Sequence, residues 1–192
     1  FRYEAGNNNL NPENSYYGDF AFEFNTNVVS ASLGGFNNQI TNYIYNRQIS
    51  NETILVDTEI FPVYRFVQDN ANLSGIEVSL TIHPAELIHF ENSFSYTRGV
   101  NRATDKALPF IPAAVLRNEL RLEPEFKGGM KSTYFSVSLD NVFKQSRVDN
   151  FETPTGAYTL VNLAMGTTFM LKKQPLRLNI SANNLLDKAY YD

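Results

Sequence analysis

Apolar and polar residues alternate with a period of two along most of this 192-residue chain, and no helical spacing of apolar residues persists beyond two turns. Strict alternation marks strands with one apolar and one polar face. The first such stretch sets Tyr16, Gly18, Phe20, Phe22 and Phe24 against Tyr17, Asp19, Ala21, Glu23 and Asn25. A tight turn at Asn25-Thr26-Asn27 leads into a long strand from about Val28 to Tyr45. Its apolar residues are Val29, Ala31 and Leu33 before Gly34-Gly35, and Phe36, Ile40 and Ile44 after them. The apolar parity flips at the two glycines, which predicts a β-bulge there.

Polar residues from Asn46 to Asp57 predict a loop, and the next strand starts near Ile60. Beyond Gly75, Ile76, Val78, Leu80 and Ile82 oppose Glu77, Ser79, Thr81 and His83, until Pro84 ends the pattern. The returning strand carries Ile88, Phe90, Phe94 and Tyr96 against His89, Glu91, Ser93, Ser95 and Thr97. After a polar loop from Arg98 to Lys106, Leu116, Leu120 and Leu122 alternate with Arg117, Glu119, Arg121 and Glu123. The same scheme gives strands around Phe135 to Phe143, Leu163 to Phe169 and Leu176 to Ile180. The pattern therefore predicts eight strands joined as successive hairpins. Short turns at Asn25, Pro84, Pro124 and Lys172 alternate with long polar loops. Long strands with short turns at one end and long loops at the other are the signature of an up-and-down membrane barrel.

Period two does not say which way the apolar face points. A soluble, secreted β-sandwich that binds carbohydrate or a protein partner turns it inward; a membrane barrel turns it outward into lipid. The charged row Arg117, Glu119, Arg121, Glu123 suits a water-filled or plugged lumen, and bulk solvent equally.

Composition narrows the choice modestly. Tyr and Phe are abundant, at 11 and 15, as half-buried pleated surfaces favour. The absence of Cys excludes disulfides and thiolate metal sites in this stretch. A net charge of −4 argues against a nucleic-acid partner. No apolar run is long enough for a transmembrane helix, and no signal-peptide pattern precedes the first strand. Phe1 is not a natural initiator, so the chain reads as processed or excerpted.

Five segments carry a family resemblance. Asn9-Leu10-Asn11-Pro12-Glu13-Asn14-Ser15 is similar to an "NLxPExS" motif, and the stretch from Phe36 to Asn42-Tyr43-Ile44-Tyr45 to "FxxxIxNYI". Phe66 to Gly75-Ile76-Glu77 resembles a strand with "A…GxE". Leu108-Pro109-Phe110-Ile111-Pro112 resembles "LPxIPP", with Ala113 in place of the second proline. Asn183-Asn184-Leu185-Leu186-Asp187-Lys188-Ala189-Tyr190-Tyr191-Asp192 resembles "NLFDKxYxD", with Leu186 in place of Phe. In this order and spacing they are similar to the C-terminal barrel of TonB-dependent outer-membrane receptors.

The resemblance implies an all-β, antiparallel up-and-down segment of about eight strands, residues 1–192, within a larger 22-stranded barrel. It implies a bacterial outer-membrane location and no enzymatic activity or cofactor. It also implies import of a nutrient complex, a ferric siderophore or other iron complex, with long loops extracellular and short turns periplasmic. The family pattern continues beyond Asp192 with one terminal strand and has an N-terminal plug, neither of which has a counterpart here. The implied partners are outer-membrane lipid and lipopolysaccharide, the plug, the remaining strands, the TonB complex and the nutrient.

Candidate chemistry is sparse. His83 and His89 flank one turn on the polar face, but two imidazoles fall short of the usual ligand number, so lining residues are expected and no metal is assigned. Glu77 and Glu91 share lumen parity on facing strands and read as structural contacts; no catalytic set is present. Arg47, Arg98, Arg102 and Arg147 lie in or beside the predicted extracellular loops. They are candidate contacts for an anionic nutrient, with lipopolysaccharide contact or solvation as the alternative. Tyr43, Tyr45, Tyr64 and Tyr96, with Phe20, Phe22 and Phe24, are expected in aromatic girdles at the two membrane interfaces. Asn51-Glu52-Thr53 fits a glycosylation sequon without meaning for a bacterial protein.

Overall fold

The computed structural model describes residues 2–126, 128–172 and 174–191, without the side chains of Ser50 and Asn51. Asp192, where the last motif ends, lies outside them, as does the sequon's Asn51 side chain.

Eight long strands follow one another as the alternation predicts: β2 (Asn14–Asn25), β3 (Val29–Val56), β4 (Glu59–Ala85), β5 (Ile88–Asn101), β7 (Val115–Leu122), β8 (Met130–Val142), β9 (Tyr158–Leu171) and β10 (Gln174–Ala182). Each pairs antiparallel with its neighbours in chain order, giving one sheet. Two short strands were not foreseen. β1 (Tyr3–Ala5) pairs parallel with β4, and β6 (Lys106–Ala107) pairs with β5. β2 and β10 are the sheet's ends and do not pair with each other, so the sheet is open.

Register decides which residues share a face. Phe22 lies opposite Leu33, Leu33 opposite Val78, and Val78 opposite Phe94. Phe94 lies opposite Leu116, while Leu120 lies opposite Val137, Val137 opposite Leu163, and Leu163 opposite Ala182. One apolar surface therefore runs unbroken across all eight long strands. It is open to its surroundings, with Phe22 65% and Leu163 47% exposed. Among the described residues no second sheet covers it. Phe90 and Leu120 are exposed on it, which removes the β-sandwich reading. The opposite face carries Ser32, Glu77, Ser79, Glu91, Ser93, Arg117, Glu119, Arg121, Ser138 and Asp140.

The glycines do not make the predicted bulge. Pairing of β3 with both neighbours runs without a shift through Gly34 and Gly35. The parity flips because Phe36 turns to the polar face, where its ring covers Gly75, while Phe20 covers Gly35 on the apolar face. A Cβ at Gly35 would stand 2.6 Å from the Phe20 ring, so glycine there is a seat for an aromatic. The bulge lies further on, between Ile40 and Tyr43, where β3 gains a residue on β4. Asn42 absorbs it at φ 58°, a left-handed conformation in which Asn is enriched.

The polar stretch from Asn46 to Asp57 is not a loop either. The β3–β4 ladder continues to Val56 opposite Glu59, with the turn at Asp57 and Thr58. Where both faces of a hairpin meet water the alternation fades, although the ladder does not. A second irregularity between Gln48 and Thr53 breaks this outer part.

Several motif residues stitch the long-loop end together. Between β1 and β2 the chain crosses β4 and β3. Gln68 Nε2 donates to the Asn11 and Asn42 carbonyls at 2.6 and 2.9 Å, and the Asn11 amide donates back to Gln68 Oε1 at 2.7 Å. The Ile44 amide donates to Glu13, and Asn42 Nδ2 donates to the Pro12 carbonyl. At the other end of the chain, Asn184 Oδ1 accepts from the Lys188 amide at 2.9 Å, and Tyr190 stacks on Tyr158 at 4.7 Å.

Candidate functional site

The polar face of β7, β8 and β9 forms a cleft of about 420 Å³. Residues two apart on a strand share a face, so Arg117, Glu119, Arg121 and Glu123 make one row. Arg117 pairs with Glu119 at 3.2 Å and Asp140 at 3.6 Å, and Arg121 with Glu123 at 2.7 Å. The Arg121 guanidinium also lies 4.1 Å from the centre of the Tyr134 ring. Asn162 donates to Asp140 at 2.8 Å and to Ser138 at 3.2 Å. Opposite charges thus alternate along a polar wall, which fits contact with polar protein or water.

His83 and His89 meet as their shared parity implies, with Nδ1 atoms 2.6 Å apart. One ring donates and the other accepts. Glu123 lies 3.6 Å from His89 Nε2, beyond hydrogen-bond length. No group of three or more His, Cys, Asp or Glu suited to a metal occurs among the described residues. Glu77 and Glu91 are not cross-strand partners: Glu77 faces Ser95, and Glu91 lies between Thr81 and Glu119. The Glu91–Glu119 juxtaposition was missed because it depends on β5–β7 register, which alternation alone does not fix.

At the long-loop end, the bulge turns Tyr43 and Tyr45 onto the polar face. Tyr45 is 8% exposed, so it is not in an outer girdle. Its hydroxyl donates to Asp69 at 2.7 Å, and Asn101 Nδ2 donates to Asp69 at 2.8 Å and to the Tyr45 oxygen at 3.1 Å. Burial, then the Asp69 hydrogen bond and charge, push the Tyr45 hydroxyl up to about 12. Asn101 Oδ1 accepts the amides of Ala103 and Thr104, ordering the turn after β5. Asp69 and Asn101 carried no sequence signal, since each sat in a polar run. Beside them Leu108 is 1% exposed, and Ile111 packs on Gly99, where a Cβ would lie 2.5 Å from it.

The four candidate arginines do not converge. Arg47 lies opposite Arg65, which pairs with Glu52 at 2.5 Å. Arg147 is exposed on the β8–β9 loop, where its amide donates to Gln145. Arg98 and Arg102 line a different cleft, of about 430 Å³, with Asn37, Gln39, Asn72 and Ser74. Of the predicted girdle tyrosines, Tyr96 shares the apolar face opposite Ile76, and Tyr64 stands in the outer hairpin bonded to Gln48.

Residues 1–185 match the family model described as "TonB dependent receptor-like, beta-barrel". The chain belongs to this family. The TonB-dependent receptor barrel lies in the bacterial outer membrane, and the exposed apolar face is its lipid-facing wall. Similar solved structures include one described as the copper transporter OprC, with TM-score 0.79, 18% identity, and coverage of 96% of this chain and 27% of that one. A ferric enterobactin receptor, PfeA, from Pseudomonas aeruginosa has TM-score 0.62, 21% identity and coverage of 92% and 26%. The siderophore receptor PirA from Acinetobacter baumannii has TM-score 0.63, 17% identity and coverage of 96% and 29%. These likenesses are of fold; the chain spans under a third of each of those proteins.

Proposed function

We propose that this segment is one arc of a receptor wall that imports a bulky nutrient complex across the outer membrane, a ferric siderophore or other iron complex. The observation that carries the reading is the two-sided sheet. A continuous apolar face suits lipid, and a charge-paired polar face suits a plug and a hydrated path. In lipid, unpaired backbone groups cost several kcal/mol each, so the open edges at β2 and β10 call for neighbouring strands. The inner rows of Arg117, Glu119 and Arg121 are the contacts we assign to a plug. Energy from a TonB complex would act on that plug, and no covalent step on the nutrient is assigned to the wall. Arg47 and Arg147, at the long-loop end, are the remaining candidates for an anionic nutrient.

Two relatives, described as ferric enterobactin and siderophore receptors, support an iron chelate, and one described as a copper transporter supports a metal ion. Uptake of ⁵⁵Fe-enterobactin and of ⁶⁴Cu(II) by cells carrying the full receptor separates them. Iron uptake abolished by a protonophore supports the proposal. Copper uptake alone overturns the iron reading, and uptake of neither probe overturns both.

A further inference from the structure

Arg98 and Arg102 stand on the outside of the wall. On β5 the apolar face carries Phe90, Phe94 and Tyr96, and the next residues of the same parity are Arg98, Val100 and Arg102. Neighbouring strands change character at the same registered row. Ile76 gives way to Ser74 and Asn72 on β4, and Gly35 to Asn37 and Gln39 on β3. Ser74 lies between Asn37 and Arg98, and Asn72 between Gln39 and Val100. Arg102 reaches back over two strands to donate to Gln39 Oε1 at 3.4 Å. The polar cleft thus continues the lipid-facing surface towards the long-loop end, at the level where hydrocarbon meets headgroups.

The charge there is incompletely answered. Neither Arg98 nor Arg102 forms an ion pair among the described residues. Among the described residues Asp105 is the only acid lining the cleft, one carboxylate to two guanidinium groups. Amide and hydroxyl side chains from β3 and β4 floor it. Guanidinium recognises phosphate through paired, charge-assisted hydrogen bonds, and basic residues beside a membrane surface attract anionic headgroups. The geometry points to a binding site for the phosphate of a phosphorylated lipid headgroup in the outer leaflet, formed by Arg98 and Arg102 over Asn37, Gln39, Asn72 and Ser74. This reassigns two arginines from nutrient capture to the receptor's contact with its membrane. It depends on the wall's place in the bilayer and not on which nutrient is imported.

The test uses the full receptor in nanodiscs, with fluorescent diphosphoryl lipid A, the same lipid with its phosphates removed, and inorganic phosphate as a competitor. The expected result is saturable binding of the phosphorylated lipid, weakened roughly thirtyfold by Arg98→Ala with Arg102→Ala. The Arg98→Lys and Arg102→Lys pair should lose less, since charge remains while the planar fork is gone. An unchanged melting temperature of these variants in the nanodiscs shows that they fold, and this readout separates the site from the import reading because it needs no nutrient. Equal binding of the dephosphorylated lipid would overturn the proposal. So would unchanged lipid affinity in the folded double variant, or displacement of the lipid by inorganic phosphate at equal concentration, which would mark a site for free anions.

Discussion

Tyr45 and Asp69 are held together by a 2.7 Å hydrogen bond across the β3–β4 ladder, one step beyond the bulge that turned the tyrosine inward. Asn101 of β5 donates to both, so three strands share one buried polar knot. Hydrogen bonds to charged groups contribute about 1.5–3 kcal/mol each. Tyr45→Phe should lower the unfolding free energy of the full receptor in detergent by an amount in that range. Asp69→Asn should cost less, because the amide oxygen still accepts.

The same pair has a pH signature. A tyrosine with its hydroxyl pushed up to about 12 keeps its stabilising contribution below about pH 10, its unfolded value. That contribution is lost as pH rises through the folded value. Absorbance at tyrosinate wavelengths, compared between native receptor and Tyr45→Phe, should show the lost titration in the upper part of the curve. A difference centred near pH 10 would contradict the buried knot.

Gly99 admits the close approach of Ile111 and Leu108 to β5. Overpacking costs typically about 1–3 kcal/mol, so Gly99→Val should lower the melting temperature and loosen the 108–112 segment. Limited proteolysis at that segment, beside a Gly18→Ala control with open space around it, checks the claim.

The two faces of the sheet predict opposite tolerance to charge. Val78→Arg places a guanidinium on the lipid-facing surface and should cost about 2–4 kcal/mol near the bilayer midplane. Thr81→Arg, on the polar face directly opposite Glu91, should be far milder. Folding equilibria of the full receptor into bilayers would compare them, and equal penalties would contradict the assigned faces.

What sequence could reveal follows from where water and lipid differ. Phe20, Phe22 and Phe24, or Ile76 to Ile82, alternate because one side meets hydrocarbon, so the eight long strands were legible. From Asn46 to Asp57 both sides meet water; the constraint on composition vanished, and a continuing ladder read as a loop. Gly34-Gly35 misled for a different reason. Whether a glycine marks a bulge or a seat for an aromatic depends on the partner strand, and Phe20 is far from Gly35 in sequence. The candidate arginines were found by charge, but with Arg98 to Lys106 read as a loop, Arg98 and Arg102 had no face. Their side could be assigned only after β5 was registered against β4. Asp69 and Asn101 form a buried polar group at the loop end, but nothing in composition distinguishes a buried Asn from a solvated one.

The extra residue in β3 near Asn42 has an evolutionary consequence. It separates a lower half of the strand, whose side-chain order is dictated by lipid, from an upper half whose order is dictated by its neighbours in the loops. Substitutions, insertions or changes of length above Asn42 can accumulate without reversing any side chain below it. A wall built this way can change the length of its exposed hairpin while its membrane-anchored half retains the old alternation.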